Sequence, residues 1–272
     1  MFKDTVIVIT GGSSGLGKAL AQRFVKSGAN LALIARDKNK LVSVKDELST
    51  LCIAGQRIEI YPCDVSDYAA TEKALNTVAD TFGLPDILIN SAGILREGYF
   101  EKLPLSTFRE VMDINYFGVL NCIKAIIPIF RKKGHGRIVN ISSLGGKIGT
   151  FGYAAYCSSK FAIVGLTDTL RAELKPMNIK LHLVCPGEFE SPMVDDLNTY
   201  RTTENRVVTQ TVPVLSLDVV ADEVIRGIQK DRYLIIPGFI ARFLEMTGRW
   251  FPSISRVIID FQINRVYKGP AS

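Results

Sequence analysis

Tyr156 and Lys160 lie four residues apart in Tyr156-Cys-Ser-Ser-Lys160, inside a stretch of helical period that continues through Leu170. That spacing places both side chains on one helix face, where a phenol and an ammonium can converge. A phenol with its ordinary pKa of about 10 exchanges protons poorly near neutrality, and an adjacent ammonium favours the phenolate and lowers that value. The chemistry expected is proton transfer to a substrate oxygen with Tyr156 as general acid, an effect of roughly 10²–10⁴ in rate. Ser143 stands 13 residues before Tyr156 and ends the apolar run that begins at Arg137, a position suited to holding a substrate carbonyl. Taken singly, a Tyr–Lys pair at helical spacing and a serine after a strand are ordinary packing or surface features. Their weight comes from what precedes them.

Thr10-Gly-Gly-Ser-Ser-Gly-Leu-Gly17 follows the apolar run Val6 to Thr10 and opens a helical stretch through Val25. Gly11, Gly15 and Gly17 then have separate tasks: a tight turn, close approach of backbone to phosphate, and close helix–sheet packing. With Ser13, Ser14 and Leu16 they form a loop whose helix N-terminal amides suit a pyrophosphate, although the same string also serves as a plain strand-to-helix turn. The next apolar run, Leu31 to Ala35, ends before Arg36 rather than at an acid, and Lys40 lies four residues further on. Two cations there suit a ribose phosphate and point to NADP(H). Asp37 is the competing signal: a strand longer by one or two residues would place it at the ribose and favour NAD. Arg36 is also readable as plain surface charge.

Short apolar runs recur between helical segments at Val6–Thr10, Leu31–Ala35, Ile58–Tyr61, Ile87–Asn90, Ile138–Ile141, Leu181–Cys185 and, after a weaker stretch, Tyr233–Ile236. Runs apolar on both faces suit a parallel sheet covered by helices on each side. The expected fold is α/β, a single doubly wound domain over residues 1–237 with about seven parallel strands. The polar stretch 190–212 reads either as a substrate-covering segment or as a surface insertion.

A hydrophobic content of 47% over 272 residues is enough for a substantial core and excludes global disorder. The charge excess of +6 is compatible with an anionic partner, but no basic block or nucleic-acid motif sharpens it, so no nucleic-acid partner is expected. Five scattered cysteines and only two histidines, His135 and His182, provide no metal-type spacing, so no metal is expected. The N-terminus lacks the pattern of a signal peptide, and no uninterrupted apolar run approaches the ~20 residues of a spanning helix, so a cytoplasmic location is expected.

These pieces together resemble the short-chain dehydrogenase/reductase family over residues 4 to 192. Thr10–Gly17 is similar to its cofactor loop, Cys63-Asp64-Val65 to its adenine-contacting turn, and Asn90-Ser-Ala92-Gly93 to its fourth-strand motif, with Ser91 in place of the commoner Asn. Asn115, Ser143, Tyr156 and Lys160 match the family's catalytic tetrad, and Pro186-Gly187 matches the loop beside the nicotinamide, with Ser191 where Thr is usual. The resemblance implies a Rossmann domain that reduces a ketone with hydride from the cofactor. It also implies that Lys160 binds the nicotinamide ribose, that Asn115 holds a relay water, and that the chain assembles as a homo-oligomer. Ala35-Arg36, Phe151-Gly152 and Leu174-Lys-Pro176 further resemble the group of the family that reduces 3-ketodihydrosphingosine, which makes the expected partner a hydrophobic ketone or alcohol. Steroid, retinoid or fatty acyl ketones are the alternatives, and a non-catalytic cofactor-binding sensor is the further one. The extension 238–272 mixes bulky apolar residues with Arg242, Arg249, Arg256 and Arg265, a composition that suits either peripheral contact with a membrane surface through 238–268 or packing on the domain or a partner subunit.

Overall fold

The apolar runs become one sheet in a computed structural model, which describes residues 2–268. The strands are β1 (Val6–Thr10), β2 (Asn30–Ala35), β3 (Ile58–Pro62), β4 (Ile87–Asn90), β5 (Gly136–Ile141), β6 (Ile179–Val184) and β7 (Leu234–Ile235). Their order is β3-β2-β1-β4-β5-β6-β7 and every pairing is parallel. The order reverses between β1 and β4, so a crevice opens at their carboxyl ends, where ligands bind in such sheets.

Successive side chains of each strand feed two separate cores. On one side Ile7, Ile9, Leu31 and Leu33 meet helices α1 (Gly15–Lys26), α2 (Lys38–Ser49) and α9 (Leu217–Gln229). On the other, Val8, Ile34, Leu88 and Ile138 meet α3 (Tyr68–Phe82), α5 (Gly118–Lys133) and α6 (Ala154–Glu173). Neither face meets water, which is why the strands read as continuous apolar runs instead of alternating ones. The helix α4 (Leu105–Met112) joins α5 through a π-helical turn at Asp113–Phe117. By length and composition Leu105–Lys133 is apolar enough to cross a membrane, a property hidden in the sequence because charged residues interrupt every run. Its apolar face is used internally: Cys122, Ile123, Ile126 and Phe130 are buried in the second core.

Residues 190–212 fold into two short helices, α7 (Pro192–Asn198) and α8 (Thr203–Thr209), each with a side-chain N-cap, from Ser191 and Thr202. The C-terminal residues form a helical hairpin, α10 (Phe239–Trp250) and α11 (Pro252–Lys268). It is tied to the domain by Ala241 in the second core, by Arg242 Nη2 on Glu223 Oε2 at 2.9 Å, and by Gln262 Nε2 donating to Thr211 Oγ1 at 2.6 Å.

The glycine loop separates two kinds of requirement. Gly15 has φ +49 with open space around it, whereas a Cβ on Gly17 would lie 2.3 Å from the Gly11 carbonyl oxygen. Gly15→Ala is therefore expected to cost about 1–2 kcal/mol, the left-handed penalty alone. Gly17→Ala forces backbone apart and is expected to cost more, about 2–3 kcal/mol or above. Chemical denaturation of the two variants tests the ranking.

Candidate active site

The crevice deepens into a cavity of about 300 Å³ at the carboxyl ends of β1, β4, β5 and β6. One end is the glycine loop, through Gly11, Ser14, Gly15 and Leu16. Gly11 has φ +67, and a Cβ there would sit 2.8 Å from the backbone nitrogen of Ala92, so this glycine lets β1 and the loop after β4 touch. Thr10 Oγ1 fastens the same junction by accepting from the amides of Ser91 (3.1 Å) and Ala92 (3.2 Å). The N-cap of α1, Ser14, makes no side-chain cap bond, unlike Asp37, Asp67, Ser191, Thr202 and Ser216 at other helices. The first amides of α1 are thus left for another acceptor.

The middle of the cavity is lined by Ser143, Tyr156 and Lys160, with Ala92, Gly93, Pro186, Gly187 and Ser191 around them. Ser143 caps the 3₁₀ turn Leu144–Gly146, its Oγ accepting from Gly145 N at 3.0 Å. Ser142 Oγ donates to the Lys160 carbonyl at 3.0 Å. A Cβ on Gly146 would lie 2.5 Å from Ser142 Oγ and 2.7 Å from the Lys160 carbonyl oxygen, so only glycine lets this turn lie against α6. Ser159 Oγ donates to the Tyr156 carbonyl at 2.7 Å and accepts from Asn115 Nδ2 at 3.0 Å. The backbone of α6 is therefore gripped at both Tyr156 and Lys160 by residues that have no local sequence signal.

Lys160 is buried, and its Nζ donates to the carbonyl of Ile141 at 3.0 Å and lies 5.5 Å from the centroid of the Tyr156 ring. Burial pushes its amine down to about 8. Burial likewise pushes the Tyr156 phenol up to about 12, opposed by its hydrogen bond with Ser143. This corrects the expectation that Lys160 lowers the phenol: in this protein desolvation of the phenolate is the dominant influence. Lys160 instead spends its contact on the end of β5.

Asn115 sits in the π-helical turn, fully buried. Its amide accepts from Ile94 N at 2.8 Å and donates to Ile94 O at 3.0 Å, fastening the chain after Gly93. Asn90 does not line the cavity: its Nδ2 donates to Asn140 Oδ1 at 2.8 Å, and Asn140 Nδ2 donates to Thr167 Oγ1 at 2.9 Å. This buried chain ties β4 and β5 to α6. Ser13 and Gly17 also lie outside the lining, as do Arg36, Lys40, Asp64 and Val65. Arg36 and Lys40 are exposed beyond the carboxyl end of β2, with Arg36 Nη1 3.9 Å from Asp64 Oδ2. Asp64 accepts from Ser66 N (3.0 Å) and Ser66 Oγ (2.7 Å), while Val65 is buried. The carboxylate of Asp37 accepts from Lys40 N at 3.0 Å as the N-cap of α2.

Several site residues carry no signal in sequence. Glu188, which lines the cavity, takes both Nη atoms of Arg201 at 3.0 and 2.9 Å, and these side chains are only 10% and 2% exposed. Arg201 also reaches Asn198, Asn205 and Thr209, and Asn205 Nδ2 donates to the Phe151 carbonyl at 2.7 Å. Buried Glu97 accepts from Thr202 Oγ1 at 2.6 Å. From the stretch 190–212, Met193 and Val194 of α7 and Val208 and Thr209 of α8 line the cavity, and these contacts hold the two helices in place. Val208 and Val212, with Leu244, Ile258 and Ile259 from the hairpin, supply an apolar wall at this end.

Two outcomes follow for stability. Glu188→Gln leaves the guanidinium buried without its carboxylate and is expected to cost about 3–5 kcal/mol in denaturant unfolding. Lys160→Met removes an amine held well below its unfolded value of 10.5. Between pH 8 and 10.5 the unfolded state binds more protons, so this group's penalty is full below pH 8 and fades as pH rises. The variant is expected to gain about 2–3 kcal/mol at pH 7 and to lose that advantage progressively between pH 8 and 10.5; thermal melts at pH 7 and near pH 10.5 check the sign.

The comparisons agree with this geometry. The sequence pattern of the family described as short chain dehydrogenase matches residues 5–202. The chain is 36% identical over 222 residues to the 3-ketodihydrosphingosine reductase of Bos taurus, covering 81% of this chain and 67% of that protein. It is 34% identical over 248 residues to the protein of the same name in Dictyostelium discoideum, covering 86% and 74%. Among solved structures, levodione reductase superposes with a TM-score of 0.78 at 27% identity, covering 87% of this chain and 96% of that one. With the sheet order, the glycine loop and the Ser143–Tyr156–Lys160 cluster already in place, this chain belongs to the short chain dehydrogenase family of oxidoreductases.

Proposed function

We propose that this enzyme uses NADPH to reduce the ketone of a long-chain lipid, 3-ketodihydrosphingosine in the first instance, to a secondary alcohol, with Tyr156 as the proton donor. The observation that carries this reading is the cavity in which Ser143, Tyr156 and Lys160 stand between a glycine loop and an apolar wall. The site suits a dinucleotide: Gly11 and Gly15 have positive φ, and the α1 N-terminus has no side-chain cap. The bound cofactor supplies the hydride.

Each protein group has a part that its surroundings support. The hydroxyl of Ser143 orients the ketone oxygen. The Tyr156 phenol, pushed up to about 12, stays protonated through neutral pH and is suited to donating rather than accepting. Lys160, charged below about pH 8, stabilises the phenolate left behind. Asn115 positions the loop at Gly93 and, through Ser159, the helix carrying Tyr156. NADPH over NADH is supported by exposed Arg36 and Lys40 after β2 and by the engagement of Asp37 as a helix cap. The lipid substrate is supported by the apolar wall from Val208 to Ile259 and by the relatives named for a sphingoid ketone.

Cofactor oxidation by the purified protein with 3-ketodihydrosphingosine tests the reading, NADPH against NADH. Turnover is expected with NADPH, reduced about 10²–10⁴-fold in Tyr156→Phe. Arg36→Ala is expected to lower the preference for NADPH about tenfold or more, the loss of one charge-assisted phosphate contact. The reductive kcat/KM is expected to decline as pH rises through about 8, where Lys160 deprotonates. No turnover despite tight NADPH binding would remove the sphingoid substrate and leave another hydrophobic ketone.

A further inference from the structure

The hairpin α10–α11 has two apolar faces. Leu244, Ile258 and Ile259 look into the cavity. Away from it, Phe239, Phe243, Met246 and Trp250 recur at i, i+4, i+7 and i+11 along α10, a single stripe on a helix, and all four are exposed, Phe239 by 79% and Trp250 by 73%. On α11, Val257 and Phe261 continue the exposed set at 65% and 62%. A stripe of four exposed aromatic and aliphatic side chains on one helix marks an interaction surface.

The charge of the hairpin indicates what it meets. Between Phe239 and Tyr267 there are four arginines against two acids, Glu245 and Asp260. Arg242 is paired with Glu223, while Arg249, Arg256 and Arg265 are exposed, and the Arg265 guanidinium lies 6.0 Å from the centroid of the Phe261 ring. An apolar stripe edged by cations fits an anionic lipid surface, with rings among the acyl chains and guanidinium groups at the phosphates. The same cations disfavour pairing with a second copy of this face.

We infer that the outer face of α10–α11 docks on an anionic bilayer, so that the wall of the substrate cavity is also the membrane-facing surface. Ile258 of α11 and Met193 of α7 both line the cavity and are 39% and 38% exposed, so the cavity has accessible edges at both helices. The helices α7 and α8 are held by the Arg201–Glu188 and Thr202–Glu97 contacts. With the hairpin on the bilayer, a lipid ketone enters at the accessible edge beside α11 and needs no release of α7–α8. The docking rests on the exposed residues alone; only this route rests on the proposed substrate.

Trp250 is the sole tryptophan of the chain, which gives a direct readout without turnover. The full-length protein is mixed with vesicles of phosphatidylcholine plus phosphatidylserine, with or without brominated phosphatidylcholine, and with uncharged phosphatidylcholine vesicles. A blue shift of Trp250 emission and bromine quenching on the anionic vesicles are expected. Combined Arg249→Glu, Arg256→Glu and Arg265→Glu is expected to weaken partitioning about 100-fold or more, with an unchanged thermal transition in vesicle-free buffer. An unquenched Trp250 on anionic vesicles overturns the docking whatever the substrate proves to be. Equal partitioning to uncharged vesicles overturns its electrostatic basis. A Trp250 already shielded in a vesicle-free dimer assigns the face to a second copy instead.

Discussion

The site depends on keeping one ammonium out of water. Lys160 is buried at the end of β5 with the Ile141 carbonyl as its hydrogen-bond partner among the described residues, and its amine is held well below the ordinary range. Burying a charge with one hydrogen bond is unfavourable, and the surrounding fold must be stiff enough to impose it. That stiffness is visible around α6. Ser142 holds the Lys160 carbonyl, Ser159 holds the Tyr156 carbonyl, and the Asn90–Asn140–Thr167 chain fixes the helix to the sheet. The polar groups beneath the cavity hold Tyr156 and Lys160 in place.

The same constraint explains the state of Tyr156. Burial disfavours its phenolate, so the proton is retained, and the Ser143 hydroxyl is the protein group that draws the value back. Burial thus acts on both members of the pair, favouring the neutral phenol and the neutral amine.

The second half of the chain closes the crevice that the first half opens. Bidentate pairing of Arg201 with Glu188, and of Thr202 with Glu97, stitches α7 and α8 over the cavity. Gly152, with φ +75, lies where a Cβ would meet Glu97 Oε1 at 2.3 Å, so the loop before α6 is part of the same clasp. The hairpin α10–α11 then supplies the remaining apolar wall through Leu244, Ile258 and Ile259. A polar clasp on one side and an apolar wall on the other make the cavity amphipathic.

The sequence by itself determined the parts whose physics is local. Strand positions were legible because both sheet faces are covered, so each strand is apolar throughout; Val6–Thr10 and Ile87–Asn90 have the bounds read from the runs. The Tyr156–Lys160 pair and the glycine loop were legible because one helix turn and one strand-to-helix turn set their geometry. What depends on contacts distant in the chain was not. The phenol was expected to be lowered by its neighbour, yet its burial, contributed by several elements, raises it. Asn90 reads as a cofactor contact, and nothing local in the sequence announces that its side chain pairs with Asn140, 50 residues away. Glu97 and Thr202, 105 residues apart, have no shared period or motif to betray them. The 238–272 extension left two uses open, and only the packed structure shows that its described part, through Lys268, lines the cavity with one face and exposes the other. Spacing along one element survives in the sequence, whereas burial is a property of everything that comes to lie around a residue.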